Sequence, residues 1–276
     1  MKTNLKLCAC VLSLSFLFSP GRIFALDEPF DHSRWDQFLS RFVNEEGEVD
    51  YKAAKAAPAL LTQYLEQLGS ISPADFKKNW PREERLALFM NAYNAGCIAA
   101  ILQHYPVKTI QSIPGIWDLQ FIKIAGRGYS LNQIRTQHLL QVFRDEKIHT
   151  ALACPAKSCP RLIQEAYTGP RVEGQLFLAA RRFVNDSRWT QILPEAGKVR
   201  ISKIYQWYGN DFNLDFGAPA DNERGFSPAE YAVLSFIAHY LDDPEKTKFL
   251  EEGDFKVKYL DFDWTLNEGP AGGEGK

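Results

Sequence analysis

The chain has 276 residues with a formal net charge of −2, and 24% of them are charged, near the average for globular proteins. That composition excludes a largely disordered chain. The absence of a basic stripe argues against a nucleic-acid partner.

The first 25 residues read as a secretory signal peptide. Lys2 and Lys6 give a basic start, Leu7 to Phe18 is apolar, Pro20-Gly21 breaks the run, and Ile23-Phe24-Ala25 offers a cleavage site. The apolar run is short for a membrane span, and no transmembrane segment is expected after the leader is removed. Residues 26–267 are then one domain of an exported, periplasmic or extracellular protein, and 268–276 a glycine-rich tail. Of the five cysteines two lie in the leader, which leaves Cys97, Cys154 and Cys159. The odd number leaves at least one thiol without an internal partner.

In chain order, Asp31 or Ser33 caps a helix with Trp35, Phe38, Leu39 and Phe42 on one face. Val49-Asp50-Tyr51 is extended, and Lys52 to Leu68 is a helix disturbed at Pro58. Ser72-Pro73-Ala74-Asp75 starts another helix. The longest runs from Pro81 to about His104, with Leu86, Met90, Tyr93, Cys97 and Ile101 inward and Tyr105-Pro106 as its stop. Residues 120–129 read as a strand with a glycine turn, and Ser130 caps a helix from Leu131 to about Phe143. Residues 148–153 look like a short buried strand. A helix over 171–185 turns Leu176, Phe177, Ala180 and Phe183 inward. Residues 191–201 form a hairpin. Ser202 caps a helix ending near Tyr208, and Ser227-Pro228-Ala229-Glu230 is a capping box opening a helix through Tyr240. Phe255 to Phe262 is a last strand. The sum is a helix-rich α+β domain with a small, mostly antiparallel sheet.

Five stretches carry more polar and aromatic residues than packing requires: Asn91-Ala92-Tyr93-Asn94-Ala95, Tyr129-Ser130-Leu131-Asn132, the segment HTALACPAKSCP at 149–160, Trp207 to Phe212, and Tyr259 to Asn267. Together and in this order they resemble the family catalogued as domain of unknown function 547, from about Trp35 to Asn267. The family pattern keeps the asparagines and tyrosine of NAYNA, the histidine, Cys-x3-Ser-Cys-Pro and WY-x-x-DF. The resemblance implies export, common among bacterial members, and no assigned chemistry. Cys97 lies outside these motifs.

On their own terms, Asn91 and Asn94 lie about one helical turn apart beside Tyr93. Their amides either tie the helix to a neighbouring segment or face a ligand. His149, Cys154 and Cys159 admit three chemistries. A Cys154–Cys159 disulfide suits an exported chain. A thiolate at either cysteine, with His149 as base, would be nucleophilic or would cycle by thiol–disulfide exchange. A metal site would use all three, but a second ligand arm is missing, so neither metal nor cofactor is expected. Asp211 lies between aromatics and needs a partner, with His149 and Arg161 as candidates. Asp261 and Asp263 share a face of the last strand by alternation; paired carboxylates could do acid-base work or bind a cation, but a turn cap for one and a pair with Lys256 or Lys258 for the other account for them.

The site therefore gathers Asn91, Tyr93, Asn94, His149, Cys154, Ser158, Cys159 and Asp211, for binding or thiol-based chemistry on a small molecule or peptide. Two other readings stand beside it: a structural or interaction module whose cysteines only staple a loop, and a cysteine hydrolase of distant papain or transglutaminase type. The chain order fits those hydrolases poorly, because the cysteine that precedes His149 is Cys97, late in an apolar helix.

Overall fold

A computed structural model describes residues 29–73, 76, 80–218 and 224–269. The leader, Ala74-Asp75 of the expected helix start, and the tail beyond residue 269 lie outside the described residues. The elements are α1 (Ser33–Phe42), α2 (Tyr51–Ala56), α3 (Ala59–Ser70), α4 (Arg82–His104), β1 (Ile122–Ile124), β2 (Arg127–Tyr129), α5 (131–143), α6 (Val172–Asn185), β3 (Thr190–Leu193), β4 (Lys198–Ile201), α7 (Lys203–Tyr208), α8 (Asn213–Phe216), α9 (Pro228–Tyr240), α10 (Pro244–Glu252) and β5 (Lys256–Tyr259). β1 and β2 form an antiparallel hairpin. A second sheet has the order β3-β4-β5, with β3–β4 antiparallel and β4–β5 parallel. The fold is helix-rich α+β with two small sheets.

Local chemistry explains most boundaries. α1 buries Trp35, Phe38, Leu39 and Phe42, its one apolar face. Proline at 58 splits the next helical stretch into α2 and α3, since its ring and missing N–H interrupt the helix. Ser130 and Gln133 form a reciprocal capping box at the start of α5, as Ser227 and Glu230 do at α9. The turn between β1 and β2 places both Ala125 and Gly126 at positive φ, which matches the twist of a two-residue hairpin.

α4 is the central post. Seventeen of its residues, from Glu84 to Leu102, are buried, including Asn91 and Asn94. By length and composition it would qualify as a membrane span, contrary to the expectation that no segment after the leader would; most of it is buried inside this fold, as a core helix is. β1 crosses it closely: a Cβ at Gly96 would meet the side chain of Ile122, which would have to shift to make room.

Two hydrophobic cores result. The first packs α1 to α5 and the β1–β2 hairpin around α4; the second packs β3, β4, α7 and α9 with Leu250 and Phe255. α6 joins them, giving Val172, Leu176 and Ala179 to the first and Ala180, Phe183 and Val184 to the second. The segment after β5 returns to the first core, where Asn267 Oδ1 accepts from the Tyr51 hydroxyl at 2.7 Å and Val49 N donates to Asn267 O at 2.8 Å. Glu268 and Gly269, assigned to the tail by sequence, are bonded to Tyr105 and Val49.

Three expectations need correction. Residues 148–153 are buried but not a strand; a 3-10 turn spans Glu146–Thr150 and an irregular loop follows. The turn's own bonds from Ile148 N, Ala151 N and Leu152 N, with one from Ala153 N to Asn94 on α4, stand in for a strand partner. Phe177 points outward, 46% exposed, while Leu176, Ala180 and Phe183 are buried. The last strand ends at Tyr259, so Asp261 and Asp263 share no strand face. Asp263 Oδ1 accepts from Thr265 N and Oγ1 as a turn cap, and Asp261 approaches Lys203 at 3.8 Å, rather than Lys256 or Lys258.

Asn91 fastens the loop before α6 to the post. Its Nδ2 donates to Tyr167 O at 2.7 Å and its Oδ1 accepts from Tyr167 N at 3.0 Å. Asn91→Ala strands both backbone groups, and the expected loss is roughly 3 kcal/mol of unfolding free energy by urea denaturation. A loss within error of zero would show that water replaces the amide.

Candidate functional site

The two cores leave a cavity of about 380 Å³ between them. Such an inter-core position, and a size at the lower end of the ~300–1,000 Å³ usual for ligand pockets, mark it as the first candidate site. Its wall takes Tyr93 from α4, Asn132 and Arg135 from α5, and His149, Leu152, Cys154 and Pro160 from the loop. Ile204, Trp207 and Tyr208 come from α7, Phe262 and Trp264 from the returning C-terminal segment, and Trp117 from the loop before β1.

Identifiable constraints place the segments that form the wall. α5 runs as a π-helix over Ile134–Leu140, a wide winding often found at functional sites, and Arg135 sits in it. Asn94 Oδ1 accepts from Ala153 N at 3.0 Å, pinning the loop one residue before Cys154. Cys154 and Cys159 are bridged, with Cα atoms 5.5 Å apart, an ordinary disulfide separation. Cys154 is half-buried on the cavity wall and Cys159 is buried. Ser158 buttons the loop to the C-terminal segment: its Oγ accepts from Asp263 N at 2.8 Å, and its carbonyl accepts from Trp189 Nε1 at 3.0 Å.

His149 is the most constrained group. Its imidazole is stacked on Tyr208, with centroids 4.5 Å apart and planes 15° from parallel, and on Phe212 at 5.7 Å. Its Nε2 lies 2.9 Å from Asp211 Oδ2. A carboxylate only accepts, so Nε2 carries the proton, and Nδ1 makes no hydrogen bond among the described residues. The side chain is 2% exposed, against 46% for Asp211. Burial pushes the His149 pKa below the ordinary 6.5, outweighing the bond and charge of Asp211 that act upward; the Arg135 charge adds to the lowering. The ring is therefore neutral at pH 7, held in one tautomer by its carboxylate. Asp211 itself lines a separate surface pocket with Asp145, Glu146, Asn210 and Leu214, so the imidazole stands between the two spaces.

Arg135 donates from Nη1 to the Tyr208 hydroxyl and from Nη2 to Asn132 Oδ1 at 3.0 Å, with its guanidinium 5.2 Å over the Tyr208 ring. Trp207, Phe262 and Trp264 cluster at the wall, their centroids 4.4 to 5.9 Å apart.

The expected residues thus divide. Tyr93, His149 and Cys154 line the cavity, and Asp211 supports it through His149. Asn91, Asn94, Ser158 and Cys159 do not line it; they hold the segments that do. Arg161, the other candidate for Asp211, pairs with Asp186 at 2.7 Å. Cys97 is buried, and burial pushes its thiol pKa far up against a bond from Tyr93. Among the described residues no group of three or more His, Cys, Asp or Glu is placed to hold a metal ion. Sequence reasoning missed Arg135 and Trp117, and flagged Phe262 and Trp264 as part of the stretch Tyr259 to Asn267 without placing them at the site. Arg135 lies three residues after Asn132, one turn on the same face, and that spacing was the available signal.

Residues 77–184 match the family model described as "Protein of unknown function, DUF547". The match holds α4, Tyr129 to Asn132 and the His149–Pro160 loop, and stops short of Trp207 to Phe212 and of the C-terminal segment. No curated protein and no solved structure matches the chain.

The His149 coupling has a pH signature. A buried histidine with depressed pKa leaves the unfolded state binding more protons below 6.5, so stability is full above that pH and declines as pH falls toward the folded-state pKa. His32, pushed down to about 4 by burial, contributes with the same sign. Asp211→Asn removes the groups that raise His149, so urea unfolding from pH 8 to 4.5 is expected to show a steeper loss than wild type. His149→Gln should show a shallower one. Equal slopes in all three proteins would contradict the coupling.

Proposed function

Starting from a chain whose residues 77–184 match a family of unassigned function, we propose that the protein binds a small molecule or peptide in the aromatic cavity, outside the cytoplasm. His149 is its proton-accepting group. One observation carries this reading: the buried imidazole is fixed by Asp211 through Nε2 while Nδ1, on a ring that forms part of the cavity wall, has no partner. A neutral imidazole oriented by a carboxylate is a ready acceptor for a ligand's O–H, N–H or S–H. Tyr208 and Phe212 hold its plane, so its direction is set before a ligand arrives, which lowers the entropic cost of binding.

The asymmetry of the disulfide favours a second reading, thiol–disulfide exchange. An external thiolate would attack the Sγ of Cys154, the half-buried cysteine on the cavity wall. The S–S bond would break, and Cys159 would leave as thiolate. His149 would then serve the proton traffic of the same cavity. Cys97, buried and high in pKa, is not suited to act as a nucleophile.

A fragment screen read by two-dimensional NMR of the tryptophan indole N–H groups tests the main reading. Hits should move Trp207 and Trp264 together, and His149→Gln should weaken hits that carry a donor proton by about tenfold, the scale of one lost hydrogen bond. Hits that leave both indoles unmoved would reject the cavity as the binding site.

A further inference from the structure

Arg135 is a cation without a counter-charge, and what it implies rests on the cavity reading above. Its guanidinium is always protonated and offers five N–H donors in a planar fork. Two are used, on the Tyr208 hydroxyl and on Asn132 Oδ1, and both acceptors are neutral. Nε is buried without a partner. The nearby acids are engaged elsewhere: Asp118 accepts from Asn132 Nδ2 at 2.8 Å, and Asp211 holds His149. Among the described residues no carboxylate lies within ion-pair distance of Arg135. The Tyr208 face beneath the guanidinium offsets part of its desolvation, as a cation–π contact does, but a ring quadrupole does not neutralise a charge. A half-buried cation with only neutral partners is completed best by an anion from outside.

The rest of the wall narrows that anion. Arg135 is the single lysine or arginine among the lining residues, so the site balances one negative charge rather than the two of a phosphate monoester. Each Nη keeps one N–H unbonded, so both nitrogens can still donate to the oxygens of an anion. The opposite chemistry stands on the same wall. Trp207 remains 46% exposed beside Phe262 and Trp264, an aromatic surface of the kind that ring-shaped ligands cover.

We infer that the cavity takes a small carboxylate-bearing ligand with a ring, its carboxylate on Arg135 and its ring against Trp207, Phe262 and Trp264. An aromatic acid and an acidic sugar share this chemistry, and the test separates them.

Calorimetric titrations of the full chain with phenylacetate, glucuronate and their neutral amides decide the matter. The expected result is saturable binding of at least one acid, at least about tenfold tighter than its amide and weakened by salt. The acid that binds names the ring. Arg135→Met should bring the acid down to the affinity of the amide, and Arg135→Lys should recover part of the difference. Trp207→Ala, on an exposed position, should weaken acid and amide together. Wild-type protein alone suffices should Arg135→Met fail to fold. Equal affinity for acid and amide overturns the anion anchor while leaving the cavity as a binding site. Absence of binding by both acids up to about 10 mM overturns the ligand class, and the indole-detected screen then decides independently whether the cavity binds anything.

Discussion

The hydrogen bond between His149 Nε2 and Asp211 Oδ2, 2.9 Å long, is the interaction around which the site is organised. A buried imidazole needs a partner, and a single carboxylate partner settles three things at once. It places the proton on Nε2, leaves Nδ1 as the acceptor, and holds the ring where it stacks on Tyr208, 15° from parallel. The two residues come from different cores, His149 from the loop pinned to α4 and Asp211 from the turn after α7. The bond therefore also joins the two halves of the fold at the cavity they enclose.

Other polar groups hold that loop in place. Its backbone is buried without strand pairing, so its N–H and C=O groups must be answered locally. Asn94 answers Ala153, the bridge between Cys154 and Cys159 closes the next turn, and Ser158 joins the loop to the returning C-terminal segment. Asn91 does the same for Tyr167, further along the chain. These residues act through others. They hold Cys154 and His149 in place, and substitution should be read first as a change in loop position.

Much of this was legible in the sequence, for physical reasons. α4 is long, apolar and bounded by prolines, and its limits follow from those signals alone. The Ser130 cap and the Ser227–Glu230 capping box name the starts of α5 and α9. The need of Asp211 for a partner came from an acid lying among aromatics, with His149 and Arg161 both open; the geometry selects His149 and gives Arg161 to Asp186. What failed depended on tertiary context. An apolar run such as Ile148 to Ala153 has no period that separates a buried strand from a buried irregular loop. The asparagine pair could face a ligand or a backbone, and only the placement of Tyr167 and Ala153 shows that both face backbone. Arg135 was invisible because a lysine or arginine on a helix is usually a solvated one; its meaning comes from the absence of a carboxylate around it. The aromatic wall was hidden by the same ambiguity, since Trp207 in sequence reads equally as core.

The site depends on the state of one ring. The most direct test is nitrogen-15 NMR of the His149 side chain in the folded protein at pH 7. A neutral imidazole with its proton on Nε2 and an unprotonated Nδ1 is what the Asp211 bond requires. A proton on Nδ1, or a doubly protonated ring, would contradict it, and with it the assignment of His149 as the proton acceptor of the cavity.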